Sequence, residues 1–189
     1  MPADDTTARL FIGLALPDAV RAAIAARTAR AVRGTAWRAS HPDTLHVTVR
    51  FLGDTPLEGM AAVADAVRAA GAATPAFEIV FGPASGLPPG RPARVAVLPI
   101  VRDLDVLAGL YGDLERRLVA AGVAAEVRAF RPHLTVARCR EPQLAPAGLP
   151  SAAPAEVTRL VLWRSLLGGP HARHVPLAQA VLGGAGGPP

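Results

Sequence analysis

The sequence has no lysine, no asparagine, a single cysteine, and only 4% aromatic residues among its 189. Each shortage excludes something. All 20 basic residues are arginine, so ligase chemistry through a lysine adenylate and Schiff-base chemistry are both closed to it. Cys139 has no partner for an internal disulfide, which points to a reducing cytoplasm; placed just past a strand, it reads as a small packing residue rather than a nucleophile. No apolar run is long enough to span a bilayer, and Met1 to Arg9 carries two aspartates where a signal peptide needs an apolar stretch. The expectation is a cytoplasmic protein with no membrane partner. The length suits one compact domain or a tightly joined pair of lobes with a substantial hydrophobic core. The net charge of +5 rests wholly on arginine, the side chain suited to bidentate phosphate binding. An Ala, Arg, Gly and Pro excess is also what compositional drift across a genome leaves, so charge alone gives only a lean towards anionic partners.

What the sequence does have is a repeated tetrapeptide, His46-Val47-Thr48-Val49 and His133-Leu134-Thr135-Val136. Each copy reads as a strand, in which residues i and i+2 share a face about 6.6 Å apart. An imidazole and a hydroxyl therefore sit side by side in both, with the aliphatics turned to a core. One His-x-Thr would carry almost no weight. Here two of the five histidines are followed by Thr and Val at the same offsets. Two such pairs on one cleft supply an acid, a base and two anion-binding hydroxyls.

Taken in order, Arg9 to Leu16 is an apolar run of strand length, and Pro17-Asp18 starts a helix to Arg33, stopped by Gly34. Thr35 to Ser40 is a candidate short strand. After the turn His41-Pro42-Asp43, the first motif strand runs from Leu45 to Leu52. A helix follows from about Leu57 to Ala70, with Gly71 at its C-cap, then a strand from Ala76 to Phe81. Past a Pro/Gly-rich loop (Pro83 to Pro92) the pattern restarts. Arg94 to Ile100 is a strand; Asp103 caps a helix to Ala121, with Leu104, Leu107, Leu110, Leu114 and Leu118 at helical spacing. The second motif strand runs from His133 to Cys139, a Pro-rich stretch from Glu141 to Pro154, and strands from Glu156 to Trp163 and Arg173 to Ala180. The tail from Gly183 to Pro189 is expected to be disordered.

The halves match. His46 follows Arg9, and His133 follows Arg94, across nearly the same separation of strand, helix and strand. Two copies can pack about a pseudo-twofold axis and bring equivalent strands face to face. The prolines at 142, 146, 150 and 154 exclude a second copy of the helix that follows the first motif.

The runs Arg9-Leu10-Phe11-Ile12, Leu45 to Gly53 (LHVTVRFLG) and Phe130 to Arg138 (FRPHLTVAR) resemble the two-histidine (2H) phosphoesterase superfamily, and within it the RNA 2',3'-cyclic phosphodiesterase group, historically called 2'-5' RNA ligases. The resemblance extends from Arg9 to about Leu177. It implies an α+β fold: bilobal, with pseudo-twofold duplicated β-α-β units and two antiparallel sheets flanking a central cleft, helices outside. A single domain over 1–182 is expected, with lobes at about 9–82 and 93–180 that could exchange strands. The implied activity is hydrolysis of a terminal 2',3'-cyclic phosphate on RNA, or on a small nucleotide, to a 2'-phosphate, with no metal and no cofactor. Some members also join RNA ends through a 2',5' linkage in a weak, reversible reaction without ATP. A monomer is expected.

By that resemblance His46 is the acid for the leaving 3'-oxygen and His133 the base for water, while Thr48 and Thr135 hold the non-bridging oxygens. Arg138 matches a phosphate-binding arginine, yet strict alternation aims it away from His133. Either a bulge or the strand's end redirects it, or Arg131 and Arg50, which have the right parity, serve instead. Phe51 matches a position where the family stacks a base, although parity would equally make it core. Ser165-Leu166-Leu167-Gly168-Gly169 resembles a family segment usually followed by a tyrosine, replaced here by His174. His41, His171 and His174 lack a threonine partner and a metal-ligand pattern, and are read as surface or loop residues. Two other readings remain: a phosphodiesterase for a small nucleotide or 2',5'-linked oligonucleotide, and an RNA-end-binding protein without turnover. Two intact His/Thr pairs argue against the last. A steep salt dependence would mark long RNA, and a shallow one a mononucleotide.

Overall fold

The computed structural model describes residues 6–149, 151–168 and 171–183. The elements run β1 (Thr7–Ala15), α1 (Asp18–Ala31), β2 (Arg38–Ala39), β3 (His46–Pro56), α2 (Met60–Ala73), β4 (Phe77–Ile79), β5 (Ser85–Gly86), β6 (Ala93–Pro99), α3 (Leu104–Ala120), β7 (His133–Gln143), β8 (Ala155–Val157), β9 (Arg159–Leu166) and β10 (Arg173–Val181). The order in the main sheet is β10-β9-β1-β3-β7-β6-β5, with β2 also on β7, while β4 and β8 pair separately. Every pairing is antiparallel.

The sheet is two halves joined at one point. β3 and β7 meet through a single residue pair, Val47 with Leu134. These are equivalent positions of the two motifs, so the pseudo-twofold axis passes between them. Away from that pair the strands part, leaving a cleft between lobes. The fold is thus α+β and bilobal, with an antiparallel array on each side. The lobes are not consecutive along the chain. The last strands, β9 and β10, flank β1, and β2 from the N-terminal half lies on β7.

The core forms from the apolar alternation. Leu10, Ile12 and Leu14 of β1, Val47 of β3, Leu134 and Val136 of β7, and Leu160 and Leu162 of β9 are all buried on one side. Leu107, Leu110, Leu114 and Leu118 of α3 join them at helical spacing, whereas Leu104 is exposed. Each fully buried leucine contributes about 2 kcal/mol of transfer free energy. α2 packs on β9, β10 and α3, and α1 lies against β2 and β7.

Two expected helix ends differ. α2 does not stop at Gly71 but continues to Ala73, where Thr74 Oγ1 bonds the Ala70 carbonyl at 2.9 Å and Pro75 follows. Gly71 serves close packing instead, because a Cβ there would collide with Ala180 of β10. Asp103 does not cap α3 through its side chain; it takes a left-handed conformation with φ of 54°. The Pro-rich stretch holds no helix among its described residues, and the tail beyond Gly183 lies outside them.

Candidate active site

The first residue of β3 and the first of β7 are the two motif histidines. Each ring is fixed in the same way. His46 Nδ1 lies 2.8 Å from the Thr44 carbonyl, and His133 Nδ1 lies 2.6 Å from the Arg131 carbonyl, two residues upstream in both cases. A carbonyl oxygen only accepts, so each Nδ1 carries the proton and donates it. Each Nε2 is thereby left as the working nitrogen. On His46 it accepts a hydrogen bond of 3.0 Å from the Thr48 hydroxyl, the expected i, i+2 partner. His46 and Thr48 flank Val47 in β3 and His133 and Thr135 flank Leu134 in β7, so the one residue pair joining the strands gathers all four on the face away from the core.

The segments that carry these carbonyls are themselves anchored. Thr44 ends a short turn, Pro42–Thr44, whose Pro42 carbonyl accepts from Arg21 of α1 at 3.1 Å. On the other side, Phe130 stacks on Tyr111 of α3 at 4.6 Å, anchoring the approach to His133.

A bulge then follows in each strand at the same offset. β1 pairs Ile12 with Arg50 and Gly13 with Thr48, leaving Val49 as an extra residue; β6 pairs Ala96 with Ala137 and Val97 with Thr135, leaving Val136. Alternation is broken in both, so two successive residues face the core and the next faces the cleft. The residues turned to the cleft are Phe51 and Arg138, equivalent positions of the two motifs. Phe51 is 53% exposed, with its ring 6.2 Å from Phe11. Arg138 has no carboxylate partner among the described residues, and its charge is close enough to depress the basicity of His46.

Arg50 is therefore corrected. The parity that recommended it as a phosphate ligand fails at the bulge, which turns it to the core side, only 8% exposed. Its guanidinium bonds Glu115 at 2.8 Å, Glu126 at 3.5 Å, the Ala124 carbonyl at 2.6 Å, and the Phe51 carbonyl. It ties β3 to α3 and to the loop leading to His133. Arg131 is exposed, and its backbone carbonyl rather than its side chain meets His133.

His174 also differs from its reading as a surface or loop residue. It lies in β10 with its ring edge-on to His46 at 5.3 Å and to Phe11 at 4.8 Å. His46 further stacks on Phe11 at 4.6 Å, and Phe11 on Trp163 at 5.2 Å. Gly13 makes room for this stack, since a Cβ there would stand 2.6 Å from the Val47 carbonyl oxygen and 3.2 Å from the Trp163 ring. Burial, and next the neighbouring His174, push the His46 pKa down to about 3. Burial likewise lowers that of His174. His46, Trp163 and His174 line a cleft of about 680 Å³ together with Arg21, Asp43 and Gln179. His41 and His171 stack on each other at 4.0 Å, both exposed. Sequence reasoning misses this aromatic floor; its only signal is the i, i+2 placement of Phe11 and Gly13 on one face of β1. Among the described residues, no group of three or more His, Cys, Asp and Glu side chains could hold a metal ion.

A family model described as the 2'-5' RNA ligase superfamily matches residues 16–169. The chain belongs to that superfamily. It is thus a member of the two-histidine phosphoesterases. Among solved structures it is similar to Escherichia coli LigT complexed with 3'-AMP, at 26% identity and TM-score 0.77, covering 93% of this chain and 98% of that one. LigT in apo form matches at the same identity and TM-score, over 94% and 99%. TT0787 of Thermus thermophilus matches at 26% identity and TM-score 0.75, over 93% and 98%. No curated protein matches. Among the described residues of this superfamily member, no helix is long and apolar enough to cross a membrane.

Proposed function

We propose that the protein hydrolyses a 2',3'-cyclic phosphate at an RNA 3' end to a 2'-phosphate, using His46 and His133 as a proton-transfer pair. The observation that carries this reading is the matched fixing of both imidazoles, Nδ1 to a carbonyl two residues upstream, which directs each Nε2 to the motif side, that of His46 already in contact with the Thr48 hydroxyl. In the reaction, a water oxygen attacks phosphorus and gives its proton to His133 Nε2. The bond from phosphorus to the 3'-oxygen breaks, and that oxygen takes a proton from His46 Nε2. Thr48 and Thr135 hold the non-bridging oxygens, Arg138 offsets the developing negative charge, and Phe51 offers a stacking face to the terminal base. Proton transfer of this kind is worth roughly 10²–10⁴-fold, so positioning of the phosphate supplies much of the remainder. The residues need no metal for these roles. The same displacement with an RNA 5'-hydroxyl attacking in place of water, its proton passing to His133 Nε2 and the 3'-oxygen again leaving, would yield a 2',5' linkage without ATP.

A small cyclic nucleotide is the second reading, favoured by the cleft of about 680 Å³ beside His46, whose walls carry both signs of charge. Product analysis tests the reaction itself. A short RNA ending in a 2',3'-cyclic phosphate, and adenosine 2',3'-cyclic phosphate alongside, should both yield the 2'-phosphate. A 3'-phosphate product would reverse the leaving oxygen and contradict the assignment.

A further inference from the structure

Arg38 lies directly opposite Arg138 in the β2–β7 pair, and Ala39 lies opposite Ala137. Ala137 is fully buried and Ala39 packs on the core, so both arginines stand on the other face, that of His133 and Thr135. Residues opposed in an antiparallel pair have Cβ atoms about 5 Å apart, and like charges placed there repel. A carboxylate would ordinarily sit nearby to relieve the repulsion. None does: among the described residues the ion pairs of arginine involve positions 21, 50, 68, 102, 116, 117 and 128. β2 is nevertheless clamped in place, since Ser40 N donates to the Val136 carbonyl at 2.8 Å and Ser40 Oγ to the Thr135 carbonyl at 3.1 Å. The short edge strand β2 thus sets Arg38 opposite Arg138 of β7, next to the second motif, neither with a carboxylate partner among the described residues.

We infer that Arg38 and Arg138 form a second anion subsite, which takes the phosphodiester on the 5' side of the terminal nucleotide while Thr48, Thr135 and Arg138 hold the reacting phosphate. Arg138 is shared between the two anions, and Arg38 serves the second one alone. Thr135 and Arg138 are three residues apart, at most about 10 Å of strand. That span suits two phosphates separated by one nucleotide, given the reach of an arginine side chain. The inference rests on the proposed function and selects a substrate class within it: an oligonucleotide, which carries the second phosphate, over a cyclic mononucleotide, which does not.

The test compares Arg38→Ala with wild type on two substrates: a trinucleotide ending in a 2',3'-cyclic phosphate, and adenosine 2',3'-cyclic phosphate. The expected result is selective. KM for the trinucleotide rises about tenfold, KM for the mononucleotide moves less than about twofold, and the salt dependence of the trinucleotide KM becomes shallower by about one phosphate contact. Arg38→Lys should recover part of the loss. Equal effects on both substrates, or none on either, would overturn the subsite. If wild type hydrolyses neither, the proposed function fails, and the subsite is then read by binding. A trinucleotide with a 3'-terminal phosphate should lose affinity in Arg38→Ala while adenosine 3'-monophosphate does not; parallel behaviour of the two ligands would overturn it.

Discussion

At the scale of single residues, the site is two imidazoles with one tautomer and unequal surroundings. His46 sits among Phe11, Trp163 and His174, and its pKa of about 3 keeps it neutral in the ligand-free protein throughout the physiological range. An acid needs a proton. Under the proposed mechanism that proton must arrive with the substrate, whose negative charge offsets the burial and neighbouring cations that depress His46. Because the ligand-free pKa is low and the bound one is raised, binding takes up a proton at any pH between the two, and affinity increases as pH falls across that interval. Calorimetry of a non-hydrolysable phosphodiester analogue near pH 6, in buffers of different ionisation enthalpy, should show net proton uptake that is lost in His46→Gln. Absence of uptake would leave His46 neutral in the complex, making it the base and His133 the acid. The pairs His46/Thr48 and His133/Thr135 are legible in the sequence because a strand's period of two is enough to place them. His174 is not, because its partner Phe11 is distant in sequence and no local spacing connects them.

At the scale of elements, the bulges decide what each strand presents. A period of two run on through Val49 and Val136 puts Arg50 in the cleft and turns Arg138 away. One extra residue in each strand reverses both. Nothing in Val-Arg-Phe or Val-Ala-Arg marks a bulge, because either register keeps an aliphatic residue inside; only the partner strand reveals it. Arg50 then becomes a tie between β3, α3 and the loop that delivers His133. Removing its charge leaves the mostly buried Glu115 without its ion-pair partner, whereas Glu126 keeps Arg128 at 2.7 Å. We expect Arg50→Met to lower stability by about 3 kcal/mol in chemical denaturation. Its loss of activity should track the unfolded fraction, with KM for a cyclic nucleotide little altered. A stable, folded Arg50→Met protein with a sharply raised KM would instead put the guanidinium in contact with substrate.

At the scale of the whole molecule, a duplicated unit has been assembled by exchange. The repeat of strand, helix and strand is visible in the sequence as a repeat in spacing, and it leads to a pseudo-twofold arrangement with a cleft. The routing of β9 and β10 onto β1 is not visible, since apolar strands near the C-terminus carry no address for their neighbour. That routing matters to the chemistry, because it brings Trp163 and His174 to His46. The symmetry is also incomplete where it counts: equivalent positions after the two bulges hold an aromatic ring, Phe51, and a cation, Arg138. A cleft with a stacking face at one lobe and a guanidinium at the other has a direction, as a nucleotide with a base and a phosphate has.

Both halves must take part in one reaction if the two histidines work as a pair. The most direct measurement is single-turnover hydrolysis of a short RNA ending in a 2',3'-cyclic phosphate, in EDTA, comparing wild type with His46→Ala and His133→Ala. We expect turnover by wild type and a rate loss of about 10²–10⁴-fold in each variant, with RNA binding retained. Full activity in either variant, or a wild type that binds the RNA end without cleaving it, would contradict the paired-histidine mechanism.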